Sequence, residues 1–356
     1  MKKILVFALT VVLLVSSAGY TRYFAALAET VTMTAPAMNS SSASEGQSAS
    51  ITLTDYLDRI VTLKQKAARI ASAYYISTAL LVALGSTDQI VGIEAKAGQR
   101  PLYQKAAPSL LSLPEIGSGK GLNIEACAQL NPDLVILPVR LKDSIDKLTQ
   151  LGIPVIAISP ETYDDFLATV ALIGKAAGQE ARANDLLQYY SGKMADISER
   201  LKNTAQKPKV YFAGGDNPLT TCTSKMYQHT LVESCGGENA TGGLTEAYWA
   251  VISAEQLLSF NPDFIFRVNY ASFGIEEITG DVRFASISAV KNNKVFTFPS
   301  AIEPWDYPTP SSILGMLWLT LKLHPETYTA KEYQQAAMDF YQTFFHITVT
   351  AADIGL

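Results

Sequence analysis

Aromatic side chains in predicted loops are the residues of this sequence best suited to binding chemistry. They occur as three pairs, each in a loop that follows a predicted strand: Tyr74 with Tyr75, Tyr270 with Phe273, and Trp305 with Tyr307. Ligands of doubly wound α/β sheets bind outside the carboxyl ends of the strands. We therefore expect these rings to line a ligand cleft.

Four charged residues are predicted in comparable loops. Arg140 and Arg267 follow two similar strands, and Asp216 and Asp306 lie in the second half of the chain. Each residue alone is more often a surface or packing residue. Together with the aromatic rings, they predict a cleft of flat apolar surfaces with a few charges, which suits a large planar ligand or a metal chelate.

Motifs for catalysis, nucleotide binding or direct metal binding are missing. Gly117-Ser118-Gly119-Lys120 resembles a phosphate loop, but Gly121 stands where that motif needs Ser or Thr. The three histidines, His229, His324 and His346, have no partner at metal-ligand spacing. We expect a binding protein that has no cofactor and contributes no direct metal ligand.

The three cysteines leave two readings open. Cys222 and Cys235 could form a disulfide in an oxidising compartment, with Cys127 buried in a helix. The alternative is three free buried thiols, because spacing alone does not determine whether the geometry permits a bond.

A repeated unit organises the positions of these residues. Residues 124–138 and 254–268 align without a gap, so that Glu125 matches Glu255 and Asn131-Pro132-Asp133 matches Asn261-Pro262-Asp263. Each copy predicts a helix that ends at Asn-Pro and a buried strand that follows. Two such units, 130 residues apart, predict two similar α/β lobes.

The remaining elements give the predicted architecture. We expect a first lobe over residues 51–160, a connector over 161–205 and a second lobe over 206–356 with a bracing C-terminal helix. The spacing of apolar residues from 163 to 202 predicts one long connecting helix, interrupted in sequence only by Gly174 and Gly178. Such a connector favours little closure of the lobes on binding a ligand.

The N-terminus predicts export. Residues 1–28 have the basic start, apolar core and Ala26-Leu27-Ala28 cleavage site of a secretory signal, although Arg22 leaves an uncleaved anchor as the alternative. Residues 29–50 predict a flexible leader. Tyr20 stands where a lipoprotein signal needs cysteine. Removal of residues 1–28 leaves 25 basic and 33 acidic residues, a balance that argues against nucleic-acid binding.

Several short patterns resemble the substrate-binding proteins of iron-complex ABC importers, which deliver siderophores, haem or cobalamin. The patterns span residues 54–327, nearly all of the chain beyond the signal and leader, and are Asp55 to Arg59, Arg69-Ile70, Asn123 to Val135, Cys235 to Asn239, Ser253 to Asp263 and Trp305 to Ser311. The resemblance implies two Rossmann-like lobes joined by one long helix, with the ligand between them.

The resemblance also assigns a role to the repeated glutamates. It implies that Glu125 and Glu255 project from the two lobes toward the permease dimer. Each also lies in the first turn of a predicted helix, where a carboxylate interacts favourably with the helix dipole. Stabilisation of the helix N-terminus alone, without a docking role, is therefore the alternative.

The resulting hypothesis is a monomeric, exported, non-enzymatic binding protein in the periplasm or at the cell surface. A ferric siderophore is the first ligand class, because abundant tyrosine and scarce histidine suit a chelate that brings its own oxygen donors. Haem or a corrinoid is the alternative ligand, and Tyr74, Tyr75 or Tyr270 could serve haem as an axial ligand. A two-lobed enzyme of the chelatase type is the alternative of another class.

Overall fold

The computed structural model describes residues 50–246, 248–299 and 301–355. The predicted signal and all but the last residue of the predicted leader lie outside these residues.

The N-terminal lobe contains eight short strands and four helices within its described residues. The strands are β1 (Ile51–Thr54), β2 (Ile60–Leu63), β3 (Ile70–Ser72), β4 (Ile90–Glu94), β5 (Glu115–Ser118), β6 (Gly121–Leu122), β7 (Leu134–Pro138) and β8 (Val155–Ile158). The helices are α1 (Tyr75–Ala83), α2 (Pro101–Ala106), α3 (Ile124–Gln129) and α4 (Lys142–Gln150). β1 and β2 pair as an antiparallel hairpin, and the other strands form one sheet in the order β6-β5-β4-β3-β7-β8. Only the β5–β6 pairing in this sheet is antiparallel.

The C-terminal lobe has a second sheet. Its strands are β9 (Lys209–Ala213), β10 (Thr220–Thr221), β11 (Glu238–Asn239), β12 (Ala250–Val251), β13 (Phe264–Arg267) and β14 (Val295–Thr297). Its helices are α7 (Tyr227–Ser234), α8 (Ala254–Phe260), α9 (Glu276–Thr279), α10 (Ser288–Lys291), α11 (Ser312–Leu323) and α12 (Ala330–Phe345). The strand order is β12-β10-β9-β13-β14, and β11 also pairs with β9. The expected two-lobed α/β fold is thus present.

The repeated unit forms the centre of both sheets. In the first copy, Asn131 ends α3 with a left-handed φ of 46°, and Asp133 Oδ2 accepts hydrogen bonds from the backbone N–H groups of Ala68 and Arg69 at 2.8 and 3.2 Å. These N–H groups precede β3, the strand that pairs with β7. The aspartate therefore ties the start of one central strand to the start of its neighbour.

The second copy repeats this geometry. Asn261 ends α8 at a φ of 43°, and Asp263 Oδ2 accepts a hydrogen bond from the backbone N–H of Lys209 at 2.9 Å, at the start of β9. β9 is the parallel partner of β13. The Asn-Pro-Asp motif thus has the same structural role in both lobes: it ends a helix and sets where the next strand enters the sheet.

The connector is helical, but it consists of two helices rather than the expected single helix. α5 (Tyr163–Ala177) and α6 (Glu180–Leu201) are separated at Gly178, whose φ of +70° ends α5 in the left-handed conformation. The chain then turns back, so that the Phe166 and Tyr190 rings pack with centroids 5.2 Å apart. The helical spacing of apolar residues therefore continues across a turn, and Gly178 is the sequence feature that marks this turn.

The core extends through both lobes and the helices between them. Buried residues of α5 and α6 share one hydrophobic cluster with residues of both sheets, and the Tyr190 hydroxyl contacts the carbonyl oxygens of Thr309 and Pro310 at 3.0 and 2.9 Å. α12 packs on α11 and α6 and also contacts α1 of the N-terminal lobe, so the C-terminal helix braces both lobes. None of the described helices is both long and apolar enough to cross a membrane.

All three cysteines are free and buried, so of the two readings left open by the sequence, the disulfide between Cys222 and Cys235 is absent. The thiol of Cys235 donates to the Met316 carbonyl oxygen at 3.2 Å, while the thiol of Cys222 lies 4.0 Å from Asn239 Oδ1. Their partners belong to different elements, and burial raises the pKa of both thiols to about 12. The alternative of three buried thiols describes the structure.

Trp305 lies in the core of the C-terminal lobe, and the expectation that it lines the cleft is wrong. Its side chain is 0% exposed, and its indole N–H donates to the Tyr341 hydroxyl of α12 at 2.9 Å. Its ring packs edge-to-face against Tyr333. The proline-flanked loop points this ring inward beneath α12, where it stabilises the fold.

Removal of the Asp133 carboxylate tests the junction between helix and strand. Asp133→Ala leaves two backbone N–H groups at the start of β3 without their acceptor, and we expect it to lower the free energy of unfolding by about 1–3 kcal/mol. Chemical denaturation measures this loss. Asp133→Asn retains an acceptor oxygen and should lose less, and Asp185→Ala, on the exposed side of α6, is the control. Equal stability of Asp133→Ala and the control would contradict the role of the junction.

Replacement of Trp305 tests its position in the core. Trp305→Phe removes the hydrogen bond to Tyr341 and leaves a cavity, and we expect a loss of about 2 kcal/mol of folding stability. Tyr248→Ala changes an aromatic side chain that is 49% exposed and should leave the melting temperature nearly unchanged. A Trp305→Phe protein that melts at the wild-type temperature would show that the indole is not a core element.

Candidate ligand cleft between the lobes

A row of four tyrosines crosses from one lobe to the other. Tyr74 packs edge-to-face on Tyr75, with centroids 6.1 Å apart, and Tyr75 packs in the same way on Tyr307 at 5.6 Å. Tyr307 in turn stacks on Tyr270 at 4.8 Å. The contact between Tyr75 and Tyr307 joins the two lobes, so the structure brings these four predicted site residues together.

The carboxyl end of β3 positions the first two rings. Tyr74 occupies the N-terminal cap position of α1, and its carbonyl oxygen accepts hydrogen bonds from the Ser77 and Ser72 hydroxyls at 2.7 and 3.2 Å. These bonds hold the turn between strand and helix. Consequently Tyr75, the first residue of α1, points its ring toward the opposite lobe and contacts Tyr307.

A cavity of about 280 Å³ lies beside this row. Both lobes line it, and its walls include Tyr75, Arg100, Tyr103, Asn269, Tyr270 and Glu303. The Leu102 N–H donates to the Ile302 carbonyl oxygen at 3.2 Å and joins the lobes at the cavity wall. The cavity therefore occupies the position between the lobes where a ligand was expected.

Arg100 provides the cationic wall. Its guanidinium lies 4.2 Å from the centroid of the Tyr75 ring, and its Nε is 3.0 Å from Oε1 of Glu94. The buried Glu94 also accepts hydrogen bonds from the Tyr103 hydroxyl at 2.7 Å and from the Thr78 hydroxyl at 2.8 Å. Glu94 thus orients Arg100 and balances its charge.

Two buried carboxyl groups form the opposite, C-terminal side of the site. Glu303 lines the cavity and accepts a hydrogen bond from the Ser311 hydroxyl, and burial raises its pKa to about 7. Asp306 lies behind Tyr270, whose hydroxyl donates to Asp306 Oδ2 at 2.7 Å, and Gln228 Nε2 donates to the same oxygen at 3.0 Å. Burial raises the pKa of Asp306 to about 6.

The tyrosine hydroxyls remain protonated at neutral pH. Burial raises the pKa of Tyr75 and Tyr270 well above the ordinary phenol value, and it raises the pKa of Tyr307 to about 12. The buried Tyr75 hydroxyl has no hydrogen-bond partner among the described residues. It can therefore hydrogen-bond a ligand as a neutral phenol.

The other predicted site residues lie nearer the edge of the cleft. Arg140 is exposed, with its guanidinium 4.8 Å from the Tyr74 ring centroid and its Nε donating to the Gly119 carbonyl oxygen at 2.6 Å. Arg267 donates to the carbonyl oxygens of Ala271 and Phe273 and so holds that loop. Asp216 is exposed, 3.4 Å from the Ser272 hydroxyl. Arg140 extends the tyrosine row, whereas Arg267 and Asp216 shape or border the loop beside Tyr270.

The sequence analysis missed Glu94, Arg100 and Glu303. Glu94 is the last residue of β4 and Glu303 follows β14, so the rule that ligands bind at the carboxyl ends of strands would have found both. Arg100 directly precedes Pro101, which begins α2, and carried no comparable signal. Across the described ranges, no group of three or more His, Cys, Asp or Glu side chains could hold a metal ion directly.

Comparisons with known proteins agree with this geometry. The periplasmic binding protein family matches residues 70–302. The chain is 27% identical over 321 residues to the molybdate-binding protein MolA of Haemophilus influenzae, which covers 82% of this chain and 90% of MolA. It is 27% identical over 201 residues to the vitamin B12-binding protein of Salmonella typhimurium, covering 56% and 71% of the two chains.

Solved structures share the fold over most of both chains. A periplasmic solute-binding protein from Veillonella parvula superposes with a TM-score of 0.74 at 26% identity, covering 86% of this chain and 97% of that one. MolA with bound molybdate superposes with a TM-score of 0.76 at 25% identity, covering 84% and 99%. The resemblance drawn from the short sequence patterns is confirmed: the chain belongs to the periplasmic binding protein family, the solute-binding proteins of ABC importers.

Proposed function

We propose that this protein captures an anionic, oxygen-rich metal species in the cleft between its lobes and delivers it to an ABC importer permease. The observation that carries this proposal is the cavity of about 280 Å³, walled by tyrosines from both lobes and by Arg100. Aromatic faces supply apolar contact area, and the neutral hydroxyls and the guanidinium can hydrogen-bond oxygen atoms.

This ligand class unites two candidates. A ferric siderophore, the first candidate from the sequence, presents oxygen atoms around its metal, and the molybdate in the name of a relative is an oxygen-surrounded metal anion. The cavity is near the lower end of the volume range for small-molecule sites. That size fits molybdate as the lobes stand, whereas a ferric siderophore, haem or a corrinoid would need the lobes to separate.

A non-enzymatic role follows from the family and from the site. The family consists of periplasmic binding proteins, and the described residues offer no group of three or more His, Cys, Asp or Glu side chains that could hold a catalytic metal ion. The chelatase alternative would need a general base poised beside an open metal position. We therefore propose capture and release without chemistry.

The repeated glutamates are proposed to dock the permease. Glu125 and Glu255 are both exposed and both lie in the first turn of their helices, α3 and α8. These helices precede β7 and β13, so their first turns lie toward the carboxyl ends of the parallel strands, as the cleft does. Hydrogen bonding to Ser253 lowers the pKa of Glu255, which keeps this carboxylate charged for an arginine partner.

An exported protein can reach such a permease from the outer side of the cytoplasmic membrane. We propose a periplasmic or cell-surface location, supported by the predicted signal of residues 1–28 and by the family, and a monomeric state.

A binding panel tests the ligand class. Purified protein titrated by calorimetry should bind molybdate or an anionic ferric catecholate siderophore with a Kd of about 1 µM or tighter. Haem and cobalamin should bind at least about tenfold more weakly, a difference of about 1.4 kcal/mol. Tight binding of haem or cobalamin would contradict the proposal, and so would failure of every member of the panel to bind.

Variants of the tyrosine row place the bound ligand. Tyr75→Ala and Tyr270→Ala each remove a cavity wall and should weaken binding by about 1–2 kcal/mol. Tyr248→Ala, an exposed tyrosine of the C-terminal lobe, is the matched control and should bind as wild type does. Equal affinities for all three variants would place the ligand elsewhere.

Charge reversal tests docking separately from capture. The double variant Glu125→Arg with Glu255→Arg should abolish uptake in a transport assay, because like charges would then meet at the permease. Its ligand affinity should stay near wild type. Reversal of Glu180 and Glu277, which lie outside the first turns of α3 and α8, is the control for surface charge. Normal uptake by the double variant would remove the docking role.

A further inference from the structure

The cleft contains an unequal distribution of charge. On the N-terminal side, Arg100 and Glu94 form an ion pair with 3.0 Å between Nε and Oε1, so their charges offset each other. On the C-terminal side, Glu303 lines the cavity and Asp306 lies directly behind Tyr270. With both of these carboxyls ionised, the cleft would carry net negative charge and would repel an anion.

Asp306 is built as a buried acid rather than as half of an ion pair. Its side chain is 0% exposed, and Tyr270 and Gln228 both donate to Oδ2. Oδ1 is buried and has no hydrogen-bond partner among the described residues, and no described cation lies within ion-pair distance. A buried carboxylate oxygen without a donor favours the protonated form.

The described groups that face Asp306 carry no charge, so protonation is the way to neutralise this acid. Asp306 faces the tyrosines Tyr75, Tyr270 and Tyr307 and the thiol of Cys222, all of which are neutral at pH 7. Glu303 faces the Ser311 and Thr309 hydroxyls and feels the Arg100 charge, which favours the ionised form. Burial is the larger influence on both carboxyls and raises both pKa values, to about 7 and about 6.

We propose that Glu303 and Asp306 make ligand capture proton-linked: the anionic ligand binds together with at least one proton taken up from solvent by these carboxyls. The Glu303 carboxyl then donates a hydrogen bond to a ligand oxygen, and Asp306 carries no charge behind Tyr270. This inference rests on the anionic ligand class of the proposed function. It adds a specificity rule, since a cationic ligand would instead expel protons and bind more weakly in acid.

The pH dependence of ligand affinity tests the inference, because proton uptake requires the affinity to rise as the pH falls. The Kd for molybdate, or for the ferric siderophore that binds, should fall about tenfold from pH 8 to pH 7 if one proton is taken up. Calorimetry in two buffers of different ionisation enthalpy counts the protons directly. An affinity that is independent of pH, or that falls on acidification, would overturn the proposal.

Neutral isosteres separate proton linkage from a merely structural role. Glu303→Gln imitates the protonated acid, so it should bind more tightly than wild type at pH 8 and change its affinity less between pH 8 and pH 6; the slope that remains belongs to Asp306. Asp306→Asn should reduce the pH slope in the same direction. Asp281→Asn, which changes a half-buried carboxylate paired with Arg283, should keep the wild-type slope. Weaker binding by Glu303→Gln at every pH would contradict the assignment.

Melting without ligand distinguishes failure of this inference from failure of the ligand class. Raised pKa values in the folded state mean that both acids stabilise the protein at low pH and that this contribution is lost as pH rises through about 6 to 7. Both isosteres should therefore melt above wild type at pH 8 and near it at pH 5. Variants that melt below wild type at pH 8, or do not fold, would defeat the inference. Absence of anion binding at every pH would defeat the proposed function instead.

Discussion

The hydrogen bonds of Asp133 and Asp263 determine how the two sheets are assembled. Each carboxylate accepts backbone N–H groups at the start of the neighbouring central strand, β3 or β9, directly after an asparagine in the left-handed conformation has ended a helix. The start of each strand sets the position of its carboxyl end. The loops after β3 and β13 carry Tyr75 and Tyr270, so the two junctions indirectly align the rings that meet between the lobes.

Burial determines the protonation of the tyrosines and carboxyl groups in the cleft. Tyr75 and Tyr307 meet across the lobes at 5.6 Å, and their surroundings exclude enough water to keep the phenols neutral. The same burial raises the pKa of Glu303 and of Asp306, while Glu94 orients Arg100 through a direct ion pair. One lobe thus contributes a balanced cation and the other contributes two acids. This asymmetry gives the cavity a charge that depends on pH.

Much of the fold could be predicted from the sequence, because the Asn-Pro-Asp repeat is a local signal with a local cause. The rule that ligands bind at the carboxyl ends of strands predicted the four clustered tyrosines. The same rule, applied to β4 and β14, would also have predicted Glu94 and Glu303. Trp305 was wrongly predicted to line the cleft, since a loop sequence does not reveal which way a side chain points; Trp305 turns inward to Tyr341. Gly178 ended the connector where apolar spacing alone predicted that the helix continues. The partner of Cys222 likewise depends on tertiary distance, which spacing does not encode.

The central claim is that a metal-containing ligand lies between Arg100 and Glu303, against Tyr75 and Tyr270. Anomalous diffraction at the absorption edge of molybdenum or iron, from crystals of the loaded protein, locates that metal directly. The account predicts one strong peak inside the cavity between the lobes, with ligand oxygens facing the Arg100 guanidinium and the Glu303 carboxyl. A peak on an outer surface of either lobe, with the cavity between the tyrosines left unoccupied, would contradict it.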